Sequence, residues 1–363
     1  MDFYISKEEV VKSLNTTIGV VEKRHTNPIL SNVLIEVDES SLKLTASDLE
    51  SEISTRSIIS NFKSGGKTTA PARKLYDLCR LLPDLTEIHF FLDGYNLKIE
   101  TASGKYNIPT MSSEDFPVFE LEEVKSQINI SSKNLKTIIS NTSFAMDTQG
   151  FKDFLNGVYL SVDDKTITAV AATSHTLAKD STTLNEAVSE NIDGIVPKKS
   201  IIEIGKLVGE ESENVVIKLG HASISVSISG TTFVSNLIAR KFPNYELFIP
   251  SGESSTLVVD RKMFSESLSR VSVLSSEKYK GVKFLTKENS LNISAVNGEG
   301  EENLVCEYRG EEIEIGFNVY YIQQILSTIN SDKVVIDFFG SEKCLITDPT
   351  SNDLKYILMA LLV

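Results

Sequence analysis

The chain has 363 residues, enough for two or three domains of ordinary size. Its 41% hydrophobic and 24% charged residues lie within the globular range and exclude wholesale disorder. The longest apolar run, 356–363, is far shorter than the ~20 residues that a membrane-spanning helix needs. The N-terminal segment lacks the basic and apolar regions of a secretory signal, so we expect a cytoplasmic protein.

The cysteines, the histidines and the net charge exclude further classes of function. Cys79, Cys306 and Cys344 form no CxxC pair, and no two of the four histidines have metal-ligand spacing, so neither a metal nor another cofactor is expected. There are 36 Lys and Arg against 50 Asp and Glu, a net charge of -14. Taken alone, this balance argues against nucleic acid as a partner, because neutralising phosphates usually requires a basic surface.

In chain order, the predicted elements repeat three times. Segment 33–48 aligns without a gap with segments 158–173 and 282–297, at offsets of 125 and 124 residues. In each segment, apolar and polar residues alternate on both sides of a polar tetrad. This pattern predicts a β-hairpin in every repeat.

A helix is predicted before and after each hairpin. The first helix of each repeat follows a capping residue: Ser6, Ser131 and Asp260. The second helix has Pro71 or Pro197 at its expected first position, and Asn318 takes this place in the third repeat. The predicted helices cover 6–24, 71–82, 131–147, 197–208, 260–275 and 317–329.

Each repeat therefore consists of helix, strands, helix and strands over about 120 residues, an ordinary size for one domain. Elements that match in order and in spacing throughout the chain indicate triplication. We predict an α+β fold of three tandem repeats, each with two helices packed on antiparallel sheets. The predicted domains cover 1–122, 128–249 and 254–363.

Positive charge is concentrated on the predicted helices. They hold 15 Lys or Arg against 8 Asp or Glu, whereas the rest of the chain holds 21 against 42. If the helices share one surface, that surface could follow a phosphate backbone while the remainder of the protein repels it. Lys and Arg are also good helix formers, so helix propensity is an alternative explanation. No base-reading motif accompanies the charge, so any DNA contact would lack sequence preference.

No catalytic constellation is visible in the sequence. Segment 61–68 resembles the end of a phosphate-binding loop, but Asn61 stands where the motif requires its first glycine, and we favour a turn between strands. Ser174 and His175 are adjacent, and adjacent residues of an extended chain point to opposite faces. We expect His175 to be packed or to line a pocket. A hydrolase centred on His175 and a structural module without DNA contact stay open as alternatives.

Nine segments together resemble the bacterial β sliding clamps, the β subunit family of DNA polymerase III. In order along essentially the whole chain they are PILSNVLIEV, LTASDLESE, APARKLYDLCRLLP, DFP, FLNGVYL, VPKKSIIEI, KFPNYE, SEKYKGVKF and EIGFNVYYI. The resemblance implies a non-enzymatic processivity factor that forms half of a six-domain ring. Two chains would join head to tail around duplex DNA and tether the replicative polymerase, the clamp loader and other partners.

A size estimate agrees with a ring of two chains. A domain of ~120 residues is ~35 Å across, so three in a ring leave a hole of only ~5 Å and six leave ~35 Å. Duplex DNA is roughly 20 Å wide, so one chain cannot encircle it and two can. Such a ring would hold DNA topologically and would need no strong phosphate contacts.

The resemblance assigns candidate residues to three sites. Contacts with the DNA backbone would be made by Arg24, Arg73, Gln149, Lys198 and Lys199. The pocket for a partner peptide would be formed by Leu155, Ala172, Ser174, His175, Thr176, Leu177, Pro243, Phe248, Ile357, Met359 and Leu361. In the dimer interface, Tyr106 and Ile108 on an edge strand would meet Val273 and Leu274, with Lys74 and Lys105 opposite Glu299, Glu301 and Glu302.

Each assignment has a simpler alternative. The basic residues could be solvated helix ends, Tyr106 and Ile108 could be buried strand residues, and the C-terminal run could be a core strand. Two departures from the family also bear on the pocket. Segment 171–178 has Thr176 where the family has arginine, and the C-terminal Met-Pro-Met-Arg-Leu is replaced by 359–363, MALLV. We expect the pocket to stay apolar and to lose positive charge.

Overall fold

The structure is a computed structural model that describes residues 1–21, 27–119, 124–147, 150, 152–209, 213–275 and 281–361. The chain divides into two compact units, Met1–Lys133 with Ile202–Leu237 and Asn134–Ile201 with Ile238–Val363. The second repeat therefore contributes to both units. No helix in the part of the chain that the structure describes is long and apolar enough to span a membrane.

The three repeats share one order of elements, and the first and third each contain one additional short strand before the second helix. The first consists of β1 (Asp2–Ser6), α1 (Lys7–Thr17), β2 (Asn32–Val37), β3 (Ser41–Ser47), β4 (Ser51–Ile58), β5 (Asn61–Ser64), β6 (Gly66–Pro71), α2 (Ala72–Leu81), β7 (Glu87–Asp93), β8 (Asn96–Glu100) and β9 (Lys105–Pro109). The second consists of β10 (Ser126–Ser131), α3 (Ser132–Ser143), β11 (Gly157–Asp163), β12 (Thr166–Ala172), β13 (Thr176–Thr183), β14 (Ile192–Pro197), α4 (Lys198–Leu207), β15 (Asn214–Leu219), β16 (Ser223–Ile228) and β17 (Thr231–Asn236).

The third repeat consists of β18 (Ser255–Asp260), α5 (Arg261–Val273), β19 (Gly281–Lys287), β20 (Ser290–Ala295), β21 (Glu301–Val305), β22 (Glu307–Tyr308), β23 (Ile313–Asn318), α6 (Val319–Thr328), β24 (Lys333–Phe339), β25 (Lys343–Thr347) and β26 (Lys355–Met359). Short 3-10 helices cover Pro28–Ser31, Asp153–Leu155 and Tyr245–Phe248. The predicted α+β repeats are confirmed.

The six predicted helices are present among the described residues, with shorter ends than predicted. Ser6 Oγ accepts the backbone N–H of Glu9 at 3.3 Å, so the predicted cap of α1 is confirmed. Asn318 caps α6 in the same manner, accepting the backbone N–H of Tyr320 at 3.0 Å. Pro71 and Pro197 are the last residues of β6 and β14 and precede α2 and α4 rather than opening them, so both predicted positions were wrong by one residue.

The three predicted hairpins are confirmed as the antiparallel pairs β2–β3, β11–β12 and β19–β20. Their aligned apolar residues are buried in every repeat: Val33, Val158, Val282, Leu42, Ile167, Leu291, Ala46, Ala171 and Ala295. Segment 61–68 forms the end-to-end strands β5 and β6 rather than a loop before a helix. The favoured interpretation of this segment as a turn between strands was wrong, because all its residues except Gly65 lie within the two strands.

Each repeat builds two antiparallel sheets. We call the first the flanking sheet, because its strands precede the first helix and follow the second: β1-β7-β8-β9, β10-β15-β16-β17 and β18-β24-β25-β26. We call the second the hairpin sheet, because it contains the predicted hairpin: β6-β2-β3-β4, β14-β11-β12-β13 and β23-β19-β20-β21. The apolar faces of these sheets supply most of the buried core.

Sheets of successive repeats join edge to edge. In the first unit, β4 of the first repeat pairs with β17 of the second, with Ile53 opposite Phe233. In the second unit, β13 of the second repeat pairs with β26 of the third, with Ala178 opposite Tyr356. In both joints, therefore, the last strand of a hairpin sheet pairs with the last strand of the following repeat's flanking sheet.

Candidate functional site

Basic side chains are concentrated on the helices as the structure bounds them. These helices hold 13 Lys or Arg against 5 Asp or Glu among the described residues. In the first unit, α1 and α2 are linked by the hydroxyl of Tyr76, which donates to Asn15 Oδ1 at 3.2 Å. In the second unit, Gln323 Nε2 of α6 donates to Ser269 Oγ of α5 at 3.3 Å. The helix α1 thus pairs with α2 and α5 with α6, and the positive charge lies on α1 to α5, since α6 contains no Lys or Arg.

Helix propensity alone does not explain where these charges lie. Basic pairs occupy the first turns of three helices: Arg73 with Lys74 in α2, Lys198 with Lys199 in α4, and Arg261 with Lys262 in α5. None of these first turns contains an acidic residue. A helix N-terminus carries partial positive charge, so cations there oppose the dipole and attract anions together with it. Such ends are suited to phosphate oxygens.

The predicted DNA contacts are divided between described and undescribed residues. Arg73 is exposed, and its guanidinium donates to the carbonyl of Val21 at 3.2 Å, which ties the side chain to the segment that follows α1. Lys198 and Lys199 are half-buried in the first turn of α4. Arg24 and Gln149 lie outside the described residues.

The predicted interface residues lie at two strand edges. β9 is the last strand of the first flanking sheet, and β21 is the last strand of the third hairpin sheet; neither has a second neighbour in the described parts of the chain. On β9, Ile108 is buried, as the alternative interpretation proposed, whereas Tyr106 is 37% exposed. At the end of α5, Val273 and Leu274 are exposed apolar side chains.

These two edges correspond to the two kinds of strand that pair in the internal joints. The registers within the sheets make Tyr106 the counterpart of Phe233 and Tyr356. In the same way, Gly300 is the counterpart of Ile53 and Ala178, since its carbonyl accepts from Ala295. Three repeats make two joints and leave one strand of each kind open.

The charged candidates at these edges have partners within the chain. Lys105 Nζ lies 2.8 Å from Glu100 Oε1 on the adjacent strand β8. Glu302 is held by Arg270 of α5, with Nε–Oε1 and Nη2–Oε2 distances of 2.6 and 2.8 Å. The hydrogen bonds from Arg270 lower the pKa of Glu302 to about 2. Lys74, Glu299 and Glu301 form no ion pair with a described residue.

A cavity of about 340 Å³ lies at the joint of β13 and β26, within the second unit. Nine of the eleven predicted pocket residues line it: Leu155, Ala172, Ser174, Thr176, Leu177, Pro243, Phe248, Ile357 and Met359. Leu177 and Ile357 face each other across the two strands. Residues far apart in sequence therefore meet because the joint places them side by side.

Two predicted pocket residues do not line the cavity. His175 is exposed, and only its backbone takes part in the joint, accepting the N–H of Met359 at 2.8 Å. Leu361 instead forms an isolated antiparallel β-bridge with Gly316. Five further lining residues were missed by the sequence analysis: Lys152, Phe154, Thr173, Phe242 and Tyr245. Phe242 and Tyr245 could have been predicted, because they lie beside the predicted Pro243 in the segment KFPNYE.

The cavity is suited to apolar side chains and offers little chemistry. The Thr176 hydroxyl donates to the Ile357 carbonyl at 3.2 Å, so it does not replace the positive charge of the family's arginine. Lys152 is the one charged side chain among the described residues that line the cavity. Tyr159 stacks on Phe242 with ring centroids 4.8 Å apart, and burial raises the pKa of Tyr159 to about 12. No group of three or more metal-ligating side chains occurs within the described residues.

Comparison with known proteins places these features in one family. Family models of the DNA polymerase III beta subunit match its N-terminal domain at residues 1–120, its central domain at 129–244 and its C-terminal domain at 246–361. The beta sliding clamp of Pseudomonas aeruginosa is 35% identical over 363 residues, covering 99% of each chain. That of Escherichia coli K12 is 30% identical over 363 residues, with the same coverage.

Solved structures give the same result. A sliding clamp of Pseudomonas aeruginosa bound to griselimycin superimposes with a TM-score of 0.96 at 34% identity. A sliding clamp of Caulobacter crescentus superimposes with a TM-score of 0.92 at 29% identity. In both comparisons the alignment covers all of this chain and all of the other.

Proposed function

Because the chain belongs to the DNA polymerase III beta subunit family, we propose that it is a sliding clamp for replication. It is a processivity factor and not an enzyme. Two copies form a ring around duplex DNA and tether the replicative polymerase, the clamp loader and other partners. The DNA that it encircles lies in the cytoplasm of a bacterium, where we expect the protein to act.

The observation that carries the proposal is the pair of open strand edges. Within the chain, a hairpin sheet twice pairs with the flanking sheet of the next repeat. β21 and β9 are the two strands left over, one of each kind. A second copy can supply both missing neighbours at once, which closes a head-to-tail dimer and leaves no open edge of this type.

The internal joints also supply a register for the joint between subunits. If β21 follows the pairing of β4 and β13, Tyr106 lies opposite Gly300, and Lys105 lies opposite Glu301. The side chain of Leu274 occupies the space beside Gly300, so the tyrosine ring packs against Leu274, while Lys105 and Glu301 place opposite charges face to face. Val273 and Leu274 provide exposed apolar area, and the family resemblance places Lys74 opposite Glu299 and Glu301.

The helix-borne charges give the ring its grip on DNA. Arg73, Lys198 and Lys199 on the helices, together with Arg24 and Gln149 outside the described residues, contact phosphates without reading bases. A modest excess of positive charge is sufficient, because a closed ring cannot leave DNA sideways, and tight phosphate contacts would slow sliding. The acidic remainder of the chain discourages binding of DNA elsewhere.

The cavity at the β13–β26 joint receives a short linear peptide of the partner. Its volume and its apolar lining suit a few hydrophobic side chains, with the exposed ring of Phe248 at the rim. Because Thr176 turns its hydroxyl into the joint, Lys152 is left as the positive group that meets acidic residues of the peptide.

The decisive experiment measures retention on DNA. The protein is loaded by a clamp loader onto nicked circular DNA, the complex is isolated by gel filtration, and the DNA is then cut once. Topological holding predicts that the protein stays on the circle and is lost upon linearisation. Equal retention on linear DNA would reject the encircling ring, and a monomeric mass at micromolar concentration would reject the dimer.

A further inference from the structure

We propose that Arg270 is a positioning residue of the joint between subunits, acting through Glu302 of its own chain. It holds and neutralises the Glu302 carboxylate so that the edge strand β21 can accept Tyr106 of a second copy. The proposal rests on the proposed dimer. The proposal differs from the expectation that Glu302 forms an ion pair with Lys74 or Lys105 across the joint between subunits.

The pleat of β21 directs Glu302 toward α5. Glu301, Asn303 and Val305 are exposed, whereas Glu302 is half-buried and Leu304 is buried, so the last two share the face against α5. The bidentate hydrogen bonds from Arg270 join this face to the last turn of the helix. The side chains of Arg270 and Glu302 are still 58% and 28% exposed, so water reaches the pair in the single chain.

A second link fixes the same helix end. Asn297 Nδ2 donates to the Leu274 carbonyl at 2.7 Å, which ties the turn before β21 to the end of α5. Arg270 and Asn297 thus hold the exposed Val273 and Leu274 beside the open edge. The residues expected to receive the second copy form one prearranged surface before it arrives.

The second repeat contains the counterpart of this pair beneath a joint that is already closed. Asn141 lies ten residues after Ser131, as Arg270 lies ten residues after Asp260, and Asp180 has the register position of Glu302. Asn141 Nδ2 donates to Asp180 Oδ2 at 2.7 Å. Both residues are buried there, at 9% and 5% exposure.

The closed joint shows what covers such a pair. Tyr356, the counterpart of Tyr106, is fully buried at this joint, and the Asp180 charge contributes to raising its pKa. By the same arrangement, Tyr106 of a second copy covers Arg270 and Glu302. A carboxylate without a partner is strongly disfavoured once water is removed, so Arg270 becomes more important when the joint closes.

This reasoning predicts an order of effects on the dimer dissociation constant, measured by fluorescence upon dilution of labelled protein. Arg270→Ala leaves a carboxylate unpaired and weakens the dimer about tenfold, whereas Glu302→Gln weakens it about threefold. Arg270→Ala combined with Glu302→Gln is tighter than Arg270→Ala alone, because the uncompensated charge is gone. The melting temperature of the diluted monomer changes little in all three.

A control ion pair and a double-mutant cycle of Glu302 with Lys105 distinguish this role of Arg270 from a general charge effect and from an ion pair between subunits. Lys283→Ala with Glu314→Gln removes a comparable surface ion pair, with 3.1 Å between Lys283 Nζ and Glu314 Oε1, and should leave the dimer unchanged. Additive losses for Arg270→Ala and Glu302→Gln, or coupling of Glu302→Gln with Lys105→Ala instead, would overturn the proposal. Failure of the wild-type chain to dimerise would reject the proposed function itself.

Discussion

Strands β13 and β21 hold the same place in their repeats and differ in whether a neighbour covers them. At the closed edge, β13 presents Leu177 and Ala178 to β26. At the open edge, the corresponding positions are Glu299 and Gly300. Both edges carry charged residues further along, Lys179 and Asp180 on β13 and Glu301 and Glu302 on β21, but only the open edge has a carboxylate in place of Leu177. Charged side chains at an edge left in water prevent indiscriminate strand pairing. The open edge is therefore adapted to a charged, selective neighbour.

The two tyrosines that correspond to these edges also differ in whether they are covered. Tyr356 is buried, and its hydroxyl lies 2.6 Å from Thr328 Oγ1. Tyr106 has the same place in β9 and is partly exposed. The same register position is therefore covered within the chain in the third repeat and partly exposed in the first, where we propose that a second copy covers it. The predictions below test this difference.

The largest effect is expected for Tyr106→Glu, which places a carboxylate where the closed joint has a buried ring. We expect the dimer dissociation constant to rise at least about a hundredfold, because an unpaired charge must be desolvated. Sedimentation velocity across a dilution series measures the change. Tyr95→Glu is the matched control, since this exposed tyrosine lies in the β7–β8 turn of the same sheet, and a comparable loss there would contradict the comparison.

The next effect concerns the cavity that the closed joint creates. Phe248→Ala should weaken binding of a short fluorescent peptide with adjacent Leu and Phe about tenfold, because the ring lines the cavity and covers an apolar side chain. Leu247→Ala removes an exposed apolar neighbour that does not line the cavity. Equal losses for the two variants in fluorescence anisotropy would place the peptide elsewhere.

A smaller effect is expected for charge reversal on the helices. Arg73→Glu with Lys198→Glu should lower the yield of loaded ring about threefold at moderate salt and should reduce the salt dependence of loading. Retention on closed circles should hardly change, because holding is topological. Lys287→Glu, a change at an exposed lysine on strand β19, is the control. An equal loss of loading with that variant would point to net charge rather than to the helices.

The smallest effect is expected from Asp180→Asn at the closed joint. Burial raises the pKa of Asp180, although the hydrogen bond from Asn141 opposes the shift. The folded state therefore holds the Asp180 proton more strongly than the unfolded state. This contribution to stability is present below the unfolded pKa of ~3.9 and is lost as pH rises through the folded value.

Asp180→Asn keeps an acceptor for Asn141 and does not ionise. As pH rises from the unfolded pKa of Asp180 through its folded pKa, the wild-type chain should lose a small amount of stability relative to this variant. At neutral pH the wild-type melting temperature should be lower by about 2 °C. Thermal unfolding followed by circular dichroism between pH 4 and 8, at roughly unit steps, measures the difference. A difference that grows as pH falls would have the wrong sign.

Local patterns predicted the elements of this fold because their causes are local. Ser6 caps a helix with an atom three residues away, and alternation in the hairpins reflects which face of a strand is buried. The error at Pro71 has a local cause as well, since the residue completes a strand before the helix begins. Nothing comparable predicts that Ile53 faces Phe233, because two distant strands meet there.

The candidate site was predictable only as far as the resemblance extended. The resemblance supplied nine cavity residues, but it also included His175. The side chain of His175 does not line the cavity, and its carbonyl accepts a hydrogen bond from Met359 in the joint. It missed Phe154 and Thr173, which enter the lining because the 3-10 turn and the end of β12 approach β26. The identity of a lining residue depends on packing between segments, which no single segment specifies.

The sequence by itself determined the triplication, the order of helices and strands, the buried face of each hairpin and the concentration of positive charge on helices. Each of these follows from propensity, periodicity or composition within a few residues. Only the tertiary structure decided which strand edges join, which two stay open, and that Arg270 rather than a lysine of another chain holds Glu302. Those outcomes depend on side chains and strands that are distant in sequence; Arg270 and Glu302, for example, are 32 residues apart. Arginine and lysine carry the same charge, so geometry and desolvation decide which of them pairs with Glu302.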